Sequence, residues 1–264
     1  MSVLLSQIAV YPVKSMAATH PTAADLVETG LRHDRAWMVV EEDGTFLTQR
    51  QHPAMARIAA LPSETALTLS VDGGPPLEIP IREDGEPREV RVWDDRVAAV
   101  DQGDQAAAFL SDYLGRACRL VRMAPHVRRP LRASYHAPDK TVGFADSAPL
   151  LLISEASLAD LNGRLREPVP MDRFRTNLVV AGGVPYQEDT WSRIRIGAAT
   201  FRIKSRCIRC QIITVDQTTG RKDIEPLETL ESYRVEPRGV PFGVKVVHET
   251  LGTIRVGDEV EVLE

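Results

Sequence analysis

Two cysteines and two arginines lie within five consecutive residues, in the segment Arg206-Cys-Ile-Arg-Cys210. A structural zinc site needs four ligands, but the only other cysteine, Cys118, lies in an apolar segment. A redox-active thiol pair normally stands at the start of a helix, where the helix dipole favours the thiolate, whereas a β-rich run follows here. In a third interpretation, one thiolate is stabilised by the neighbouring arginines and binds a soft metal. The local sequence leaves all three interpretations open.

The composition sets broad limits on the protein class. Of the 264 residues, 43% are hydrophobic and 26% are charged, as is typical of soluble globular proteins. A net charge of −5 argues against nucleic acid as a partner, because binding to phosphate backbones requires a positive field. Three cysteines do not form a disulfide framework and suit a reducing compartment. Residues 1–13 contain neither a signal peptide nor a membrane span, so we expect a cytoplasmic protein without a membrane partner.

Apolar periodicity predicts a mixed, β-rich (α+β) fold. Residues 37–100 alternate in short runs between turn dipeptides such as Asp43-Gly44, which is typical of an antiparallel sheet. A helix is predicted over residues 104–114 and ends at Gly115, and residues 119–140 are predicted to be an irregular, basic connection. Further strands are predicted at 149–154, 177–181, 193–196, 200–203 and 211–215, further helices at 155–165 and 226–233, and a closing strand pair within 252–263.

Several separated motifs resemble one known family. In the C-terminal third these are Arg206-Cys-x-Arg-Cys210, Thr214-Val-Asp216, Thr219-Gly220, Glu225-Pro-Leu-Glu-Thr-Leu230, Phe242-Gly243 and Gly252-Thr-Ile-x-Val-Gly-Asp258. Earlier in the chain they are Tyr11-Pro-Val-Lys-Ser15, Asp34-Arg35-x-Trp37, Asp146-Ser-x-Pro149 and Arg173-Phe-Arg-x-Asn177. Together they resemble the MOSC family of molybdenum-cofactor proteins, and within it they are similar to the amidoxime-reducing components. The resemblance spans essentially the whole chain.

The resemblance implies both a domain organisation and a set of site residues. It implies an N-terminal β-barrel-like domain over residues 1–118 and a C-terminal MOSC β-barrel domain with a few helices over residues 119–264, with the pterin cofactor between them. Cys210 then falls on the position of the molybdenum ligand and catalytic residue, and Cys207 does not. The positions that bind the pterin and its phosphate are Lys14, Ser15, Arg35, Asp146, Ser147, Arg175 and Asn177. These residue types suit a phosphate and a hydrogen-bonding ring, although each alone would be read as a surface or turn residue.

The same resemblance implies a molybdenum-cofactor-dependent reductase of N-hydroxylated compounds, namely amidoximes, hydroxylamines and N-hydroxylated bases. The sequence has neither a four-cysteine cluster motif nor a glycine-rich dinucleotide motif, so we expect a separate flavin or iron–sulfur protein to donate electrons. One alternative is a carrier of sulfur or of the molybdenum cofactor without turnover. Another is a non-catalytic anion-binding protein that tolerates loss of both cysteines.

Two further groups of residues receive weaker interpretations. The arginine-rich segment 128–132 is either an exposed loop or a border of the cofactor mouth. His126, His136 and His248 have no companions at ligand spacing, so structural roles are predicted for them. Cys118 is predicted to be a small buried apolar residue.

Overall fold

The computed structural model describes residues 2–131, 135, 137 and 139–264. Within these residues the chain forms seventeen strands and three α-helices. The strands are β1 (Val3–Ile8), β2 (Ala23–Val27), β3 (Gly30–Leu31), β4 (Trp37–Val40), β5 (Ile58–Pro62), β6 (Ala66–Val71), β7 (Leu77–Pro80), β8 (Pro87–Val92), β9 (Asp95–Asp101), β10 (Arg119–Met123), β11 (Leu150–Ser154), β12 (Leu178–Ala181), β13 (Arg193–Ile196), β14 (Ala199–Ile208), β15 (Pro241–His248), β16 (Gly252–Arg255) and β17 (Glu259–Val262). The helices are α1 (Asp104–Leu114), α2 (Glu155–Asn162) and α3 (Leu227–Glu231). The predicted β-rich mixed fold is confirmed.

Seven strands close into a barrel in the order β1-β12-β11-β15-β14-β13-β17, counted over the described part of the chain. Only β11 and β12 pair in parallel within this barrel, and all its other pairs are antiparallel. Its interior is filled by apolar side chains with little or no exposure, including Leu5, Leu152, Phe201 and Val246. Since alternate residues of a strand face opposite sides, this core accounts for the apolar periodicity of the sequence.

A four-stranded sheet of order β4-β10-β9-β8 and a three-stranded sheet β5-β6-β7 contain the described strands between residues 37 and 123. Helix α1 packs on β10 and β7, and Gly115 ends it in the left-handed conformation that the sequence predicts. Cys118 is buried in the core beneath α1, as predicted, and burial raises the pKa of its thiol. No described helix has the length and apolar character needed to cross a membrane.

Four local predictions are wrong. Residues 119–123 are a strand, β10, that pairs with β4 and β9, so the basic connection starts later. Helix α2 ends at Asn162 rather than at residue 165, since Gly163 follows it. Residues Gln211–Thr214 form a 3-10 helix instead of a strand, and the Thr214 hydroxyl donates to the Gln211 carbonyl at 2.8 Å. The closing strands β16 and β17 do not pair with each other, because β16 pairs with β2 and β17 with β1 and β13.

The domain division at residue 118 stays a prediction, and strand pairing crosses it in both directions. Strand β1 pairs with β12 and β17 in the barrel, and β10 joins a sheet whose other strands precede residue 118. Arg132 and His136, which the sequence grouped with the basic segment and the structural histidines, lie outside the described residues.

Candidate functional site

A cleft of about 300 Å³ contains all eight sequence-predicted site residues in its wall. These residues come from distant parts of the chain: Lys14, Ser15, Arg35, Asp146, Ser147, Arg175, Asn177 and Cys210. Backbone hydrogen bonds join the segments that carry them. The Arg35 amide donates to the Tyr11 carbonyl at 2.7 Å, and the Phe144 amide donates to the Arg35 carbonyl at 2.7 Å. The cleft is therefore built where loops from the N-terminal half meet one end of the barrel.

The close approach between two of these segments depends on Gly143. A Cβ atom at this position would lie 2.6 Å from the Arg35 carbonyl oxygen, which is too short for any side chain. Gly143 thus allows the segment that ends in Asp146 to run directly beside Arg35.

Cys210 lies just beyond the end of β14 and immediately before the 3-10 helix, and its side chain is exposed. The Arg50 guanidinium contacts its sulfur, with Nε and Nη2 each 3.4 Å from Sγ. Nη2 also donates to Asp146 at 3.0 Å. Burial opposes the charge of Arg50, but Asp146 and Cys210 outweigh it and raise the pKa of this guanidinium. Arg50 therefore places a positive charge directly against the Cys210 sulfur.

Cys207 has different surroundings, although it also lines the cleft. Its Sγ is 3.3 Å from Nη1 of Arg209, whose Nη2 donates to the Phe174 carbonyl at 2.7 Å. The sulfur is half-buried at the end of β14, whereas that of Cys210 is exposed. Among the described residues, no three or more His, Cys, Asp or Glu side chains come together where they could hold a metal ion.

Asp146 joins two cations. It forms an ion pair with the Lys14 ammonium and another with Arg50. Burial alone would raise the pKa of the Asp146 carboxyl, but Lys14 and Arg50 hold it well below its usual range. Lys14 is 5% exposed and also donates to the Phe144 carbonyl at 2.7 Å, and its burial lowers the pKa of the ammonium. Ser147 follows in the same wall of the cleft.

Arg35 and Arg175 both lie over the ring of Tyr11, with each guanidinium carbon 4.3 Å from the ring centroid. Arg35 is paired with Asp34 at 2.5 Å, and Arg175 donates to the Met16 carbonyl at 2.8 Å. Burial, reinforced by the charge of Arg35, lowers the pKa of Arg175 to about 10. An anion bound beside these two guanidiniums would relieve this unfavourable electrostatic environment.

The amide of Asn177 is fully used within the protein. Its Nδ2 donates to the Ala9 carbonyl and to Asp34, both at 3.0 Å. Its Oδ1 accepts from Arg35 at 3.1 Å and from the Leu151 amide at 3.3 Å. Since a carboxamide offers two donors and two acceptor lone pairs, Asn177 has no hydrogen bond left for a ligand. It orients Arg35 in the cleft wall.

Backbone strain is concentrated at this cleft. Seven non-glycine residues of the described chain have positive φ, and three of them, Ser15, Arg35 and Arg175, are predicted site residues. The left-handed region is unfavourable for such residues and is retained where the surroundings impose it, often at functional sites. The strain supports the assignment of this cleft as the functional site.

Sequence reasoning did not nominate several residues of the site. Arg50 carried no signal beyond a polar run in the β-rich half of the chain, and Lys245 belongs to a strand that reads as apolar. Tyr11 and Asp34 belong to motifs named in the sequence analysis but were not predicted as site residues. Both contact Arg35, Tyr11 through its ring and Asp34 through an ion pair. In the basic segment, Arg129 is buried and donates to the Gly143 and Ala145 carbonyls at 3.0 and 2.6 Å, so it is a structural residue.

Comparison with known proteins agrees with this architecture. Residues 2–117 match the MOSC N-terminal beta barrel domain and residues 139–261 match the MOSC domain. The chain is 37% identical to mitochondrial amidoxime-reducing component 1 of Mus musculus, over 98% of this chain and 82% of that protein. The chain belongs to the MOSC family.

This MOSC protein is also similar to two further proteins of known name. It is 36% identical to mitochondrial amidoxime-reducing component 1 of Homo sapiens, again over 98% of this chain and 82% of the relative. It is 33% identical to the molybdenum cofactor sulfurase of Danio rerio over 94% of this chain, which corresponds to 32% of that longer protein. The name of the human relative refers to the reduction of amidoximes, and the name of the zebrafish relative refers to the molybdenum cofactor.

Chemically, the cleft can bind a multiply charged anion beside a soft sulfur ligand. Its described wall carries six cationic side chains, Lys14, Arg35, Arg50, Arg175, Arg209 and Lys245, against one carboxylate, Asp146. Cationic forks of this kind bind phosphate. No histidine is found among these lining residues.

Proposed function

We propose that this MOSC protein is a molybdenum-cofactor-dependent reductase of N-hydroxylated compounds, with Cys210 as the protein ligand to molybdenum. The observation that carries the proposal is the cleft itself, in which an exposed thiol contacted by Arg50 borders a wall with a large surplus of positive charge. A pterin cofactor with a phosphate needs these two features, a soft ligand and an anion-binding surface.

Each residue of the cleft has a role in this proposal. Lys14, Arg35 and Arg175 bind the anionic cofactor, with hydrogen bonds from Ser15 and Ser147. Asp146 orients Lys14 and Arg50, and Asn177 orients Arg35.

In the same proposal, Arg50 places its positive charge against the Cys210 sulfur and positions it for the metal. Cys207 binds no metal and is held by Arg209. When bound, the molybdenum supplies the two-electron chemistry that removes the N-bound oxygen, and the protein contributes binding and electrostatics.

The electron donor in this proposal is a separate flavin or iron–sulfur protein, and the site of action is the cytoplasm. Substrates are small N-hydroxylated molecules such as amidoximes, as the names of the mouse and human relatives suggest. Residues 1–118 and 119–264 form the two domains whose loops enclose the cofactor.

The experiment that tests the cofactor assignment is molybdenum analysis of protein made in a host that synthesises molybdopterin. We expect about one molybdenum per chain in the wild type and in Cys207→Ala, and a strong loss in Cys210→Ala. Equal molybdenum content in both cysteine variants would refute the ligand assignment. Absence of molybdenum from the wild-type protein would refute the enzyme proposal as a whole.

A second candidate function is a carrier of sulfur or of the cofactor, favoured by the similarity to the zebrafish molybdenum cofactor sulfurase. Reduction of benzamidoxime by the molybdenum-loaded protein, with reduced methyl viologen as electron source, separates the two. Turnover supports the reductase. Stoichiometric molybdenum without turnover, together with a persulfide on Cys210 detected by mass spectrometry, supports the carrier.

A further inference from the structure

Trp93 stands out in the turn between β8 and β9. Its side chain is 43% exposed, whereas the other two tryptophans, Trp37 and Trp191, are buried. Its φ of +57° places it in the left-handed region, which a bulky side chain rarely adopts. Val92 and Asp95 pair with each other, and the two-residue turn between them requires such a backbone, for which glycine or asparagine is favoured. An exposed indole at this position therefore calls for an explanation.

A chain of contacts links the Trp93 ring to Cys210. The Arg50 guanidinium lies over the indole, 5.1 Å from the ring centroid, and the same guanidinium contacts Cys210 Sγ at 3.4 Å. The indole therefore lies within about 10 Å of the proposed metal ligand. Phe46 packs against Trp93 at an interplanar angle of 69°, and the Lys14 ammonium lies over the Phe46 ring.

The turn that carries Trp93 is also anchored to the cleft. Asp95, two residues after Trp93, accepts from Arg129 Nε at 2.7 Å. The other end of the Arg129 side chain donates to the carbonyls of Gly143 and Ala145, directly before Asp146. Because Arg129 is buried, this connection fixes the hairpin relative to the cleft wall.

We propose that Trp93 is a substrate-binding residue whose indole, held beside the cleft through its contact with Arg50, forms an aromatic platform that selects flat N-hydroxylated substrates. This inference rests on the proposed reductase function and adds a specificity determinant to it. Aromatic amidoximes and N-hydroxylated bases have a planar π-system that stacks on an indole, as nucleobases stack on aromatic side chains. Small aliphatic hydroxylamines have no such face, so they gain nothing from the platform.

The test compares Trp93→Asn with Trp93→Phe in molybdenum-loaded protein. Asn tolerates the left-handed backbone but cannot stack, whereas Phe keeps an aromatic face. Leu61→Asn is the matched control, because Leu61 is an exposed apolar residue of β5, which belongs to a different sheet from the Trp93 hairpin. Rates are measured with benzamidoxime and with N-methylhydroxylamine, using reduced methyl viologen as electron donor so that no protein partner is involved.

We expect Trp93→Asn to raise the KM for benzamidoxime about 5- to 10-fold with little change in kcat. Trp93→Phe and Leu61→Asn should change this KM less than about twofold, and the KM for N-methylhydroxylamine should stay constant in all variants. A binding readout independent of turnover comes from tryptophan fluorescence. Benzamidoxime should quench the emission of the wild type in a saturable manner, and Trp93→Phe should lose most of that quenching.

The proposal is overturned if both KM values rise together in Trp93→Asn or if neither changes. It is also overturned if the defect appears only when a reductase protein supplies the electrons, because Trp93 would then contact the electron donor. Failure of the proposed reductase function gives a different result. The molybdenum-loaded wild type would then reduce neither substrate, and the fluorescence titration would still report whether the indole binds benzamidoxime.

Discussion

His248 is buried in β15, and neither ring nitrogen has a hydrogen-bond partner within the part of the chain that the structure describes. Burial, assisted by the charge of Lys140, lowers the pKa of this imidazole from 6.5 to about 4. The folded protein therefore keeps His248 neutral at a pH at which the unfolded chain already binds a proton on it. The structural role predicted from the sequence takes the form of a buried neutral side chain.

The sign and size of the resulting pH dependence follow from linkage. Well above pH 6.5 both states are neutral and His248 has no effect, but as the pH falls the unfolded state is stabilised by protonation. With folded and unfolded pKa values of about 4 and 6.5, the free energy of unfolding falls by about 2 kcal/mol between about pH 7.5 and pH 5. It falls by about 3 kcal/mol once His248 is protonated in both states.

His248→Met removes this titration and keeps a similar volume, since methionine adapts to irregular core sites. Urea denaturation of wild type and variant at the two pH values should show that the wild type loses about 2 kcal/mol more than the variant. His126→Gln, at an exposed histidine, should lose as much stability as the wild type. If His248→Met also lost as much stability as the wild type, the account of a neutral buried imidazole would be refuted.

Three other predictions concern the cleft. Arg129→Ala leaves two buried carbonyls and Asp95 without their partner, so the free energy of unfolding in urea should fall by about 3 kcal/mol, and a fall below about 1 kcal/mol would contradict this role. Ser15→Gly relieves a positive φ and should raise that free energy by about 1 kcal/mol while lowering molybdenum content, so an unchanged content would argue against Ser15 as a cofactor contact. Asp146→Asn should be less stable than wild type by about 1 kcal/mol near pH 7, because the side chain is 43% exposed. Since the folded pKa of Asp146 is depressed, that difference should shrink as the pH falls below about 4, and a difference that grows in acid would contradict the ion pairs with Lys14 and Arg50.

Much of the fold could be predicted from local patterns. Helix α1 begins and ends where the apolar spacing and Gly115 place it, and β6 lies within the alternating region of residues 37–100 that predicts an antiparallel sheet. These elements depend on residues close in sequence, so periodicity and capping suffice. The same reasoning gave a wrong result for residues 211–215. Their β-branched residues predict a strand, but Gln211–Thr214 form a 3-10 helix directly after Cys210.

The candidate site could also be predicted only in part from the sequence. The multipart resemblance, rather than any single residue, nominated Lys14, Arg35, Arg175 and Cys210, since each alone is an ordinary charge or thiol. The sequence by itself thus determined which residue types are present and in what order. It did not reveal that Asn177 uses its whole amide inside the protein.

The tertiary structure alone decided which of these groups meet. Arg50 and Cys210 are separated by 160 positions, yet one guanidinium contacts both that sulfur and Asp146. The closing strands β16 and β17 are sequence neighbours that join different sheets, because the barrel needs β17 as its last strand and β2 offers β16 a free edge. Long-range pairing depends on which edges and loops come together after folding, and no local pattern of residues encodes that, so the cleft and the place of Trp93 beside it became visible only in three dimensions.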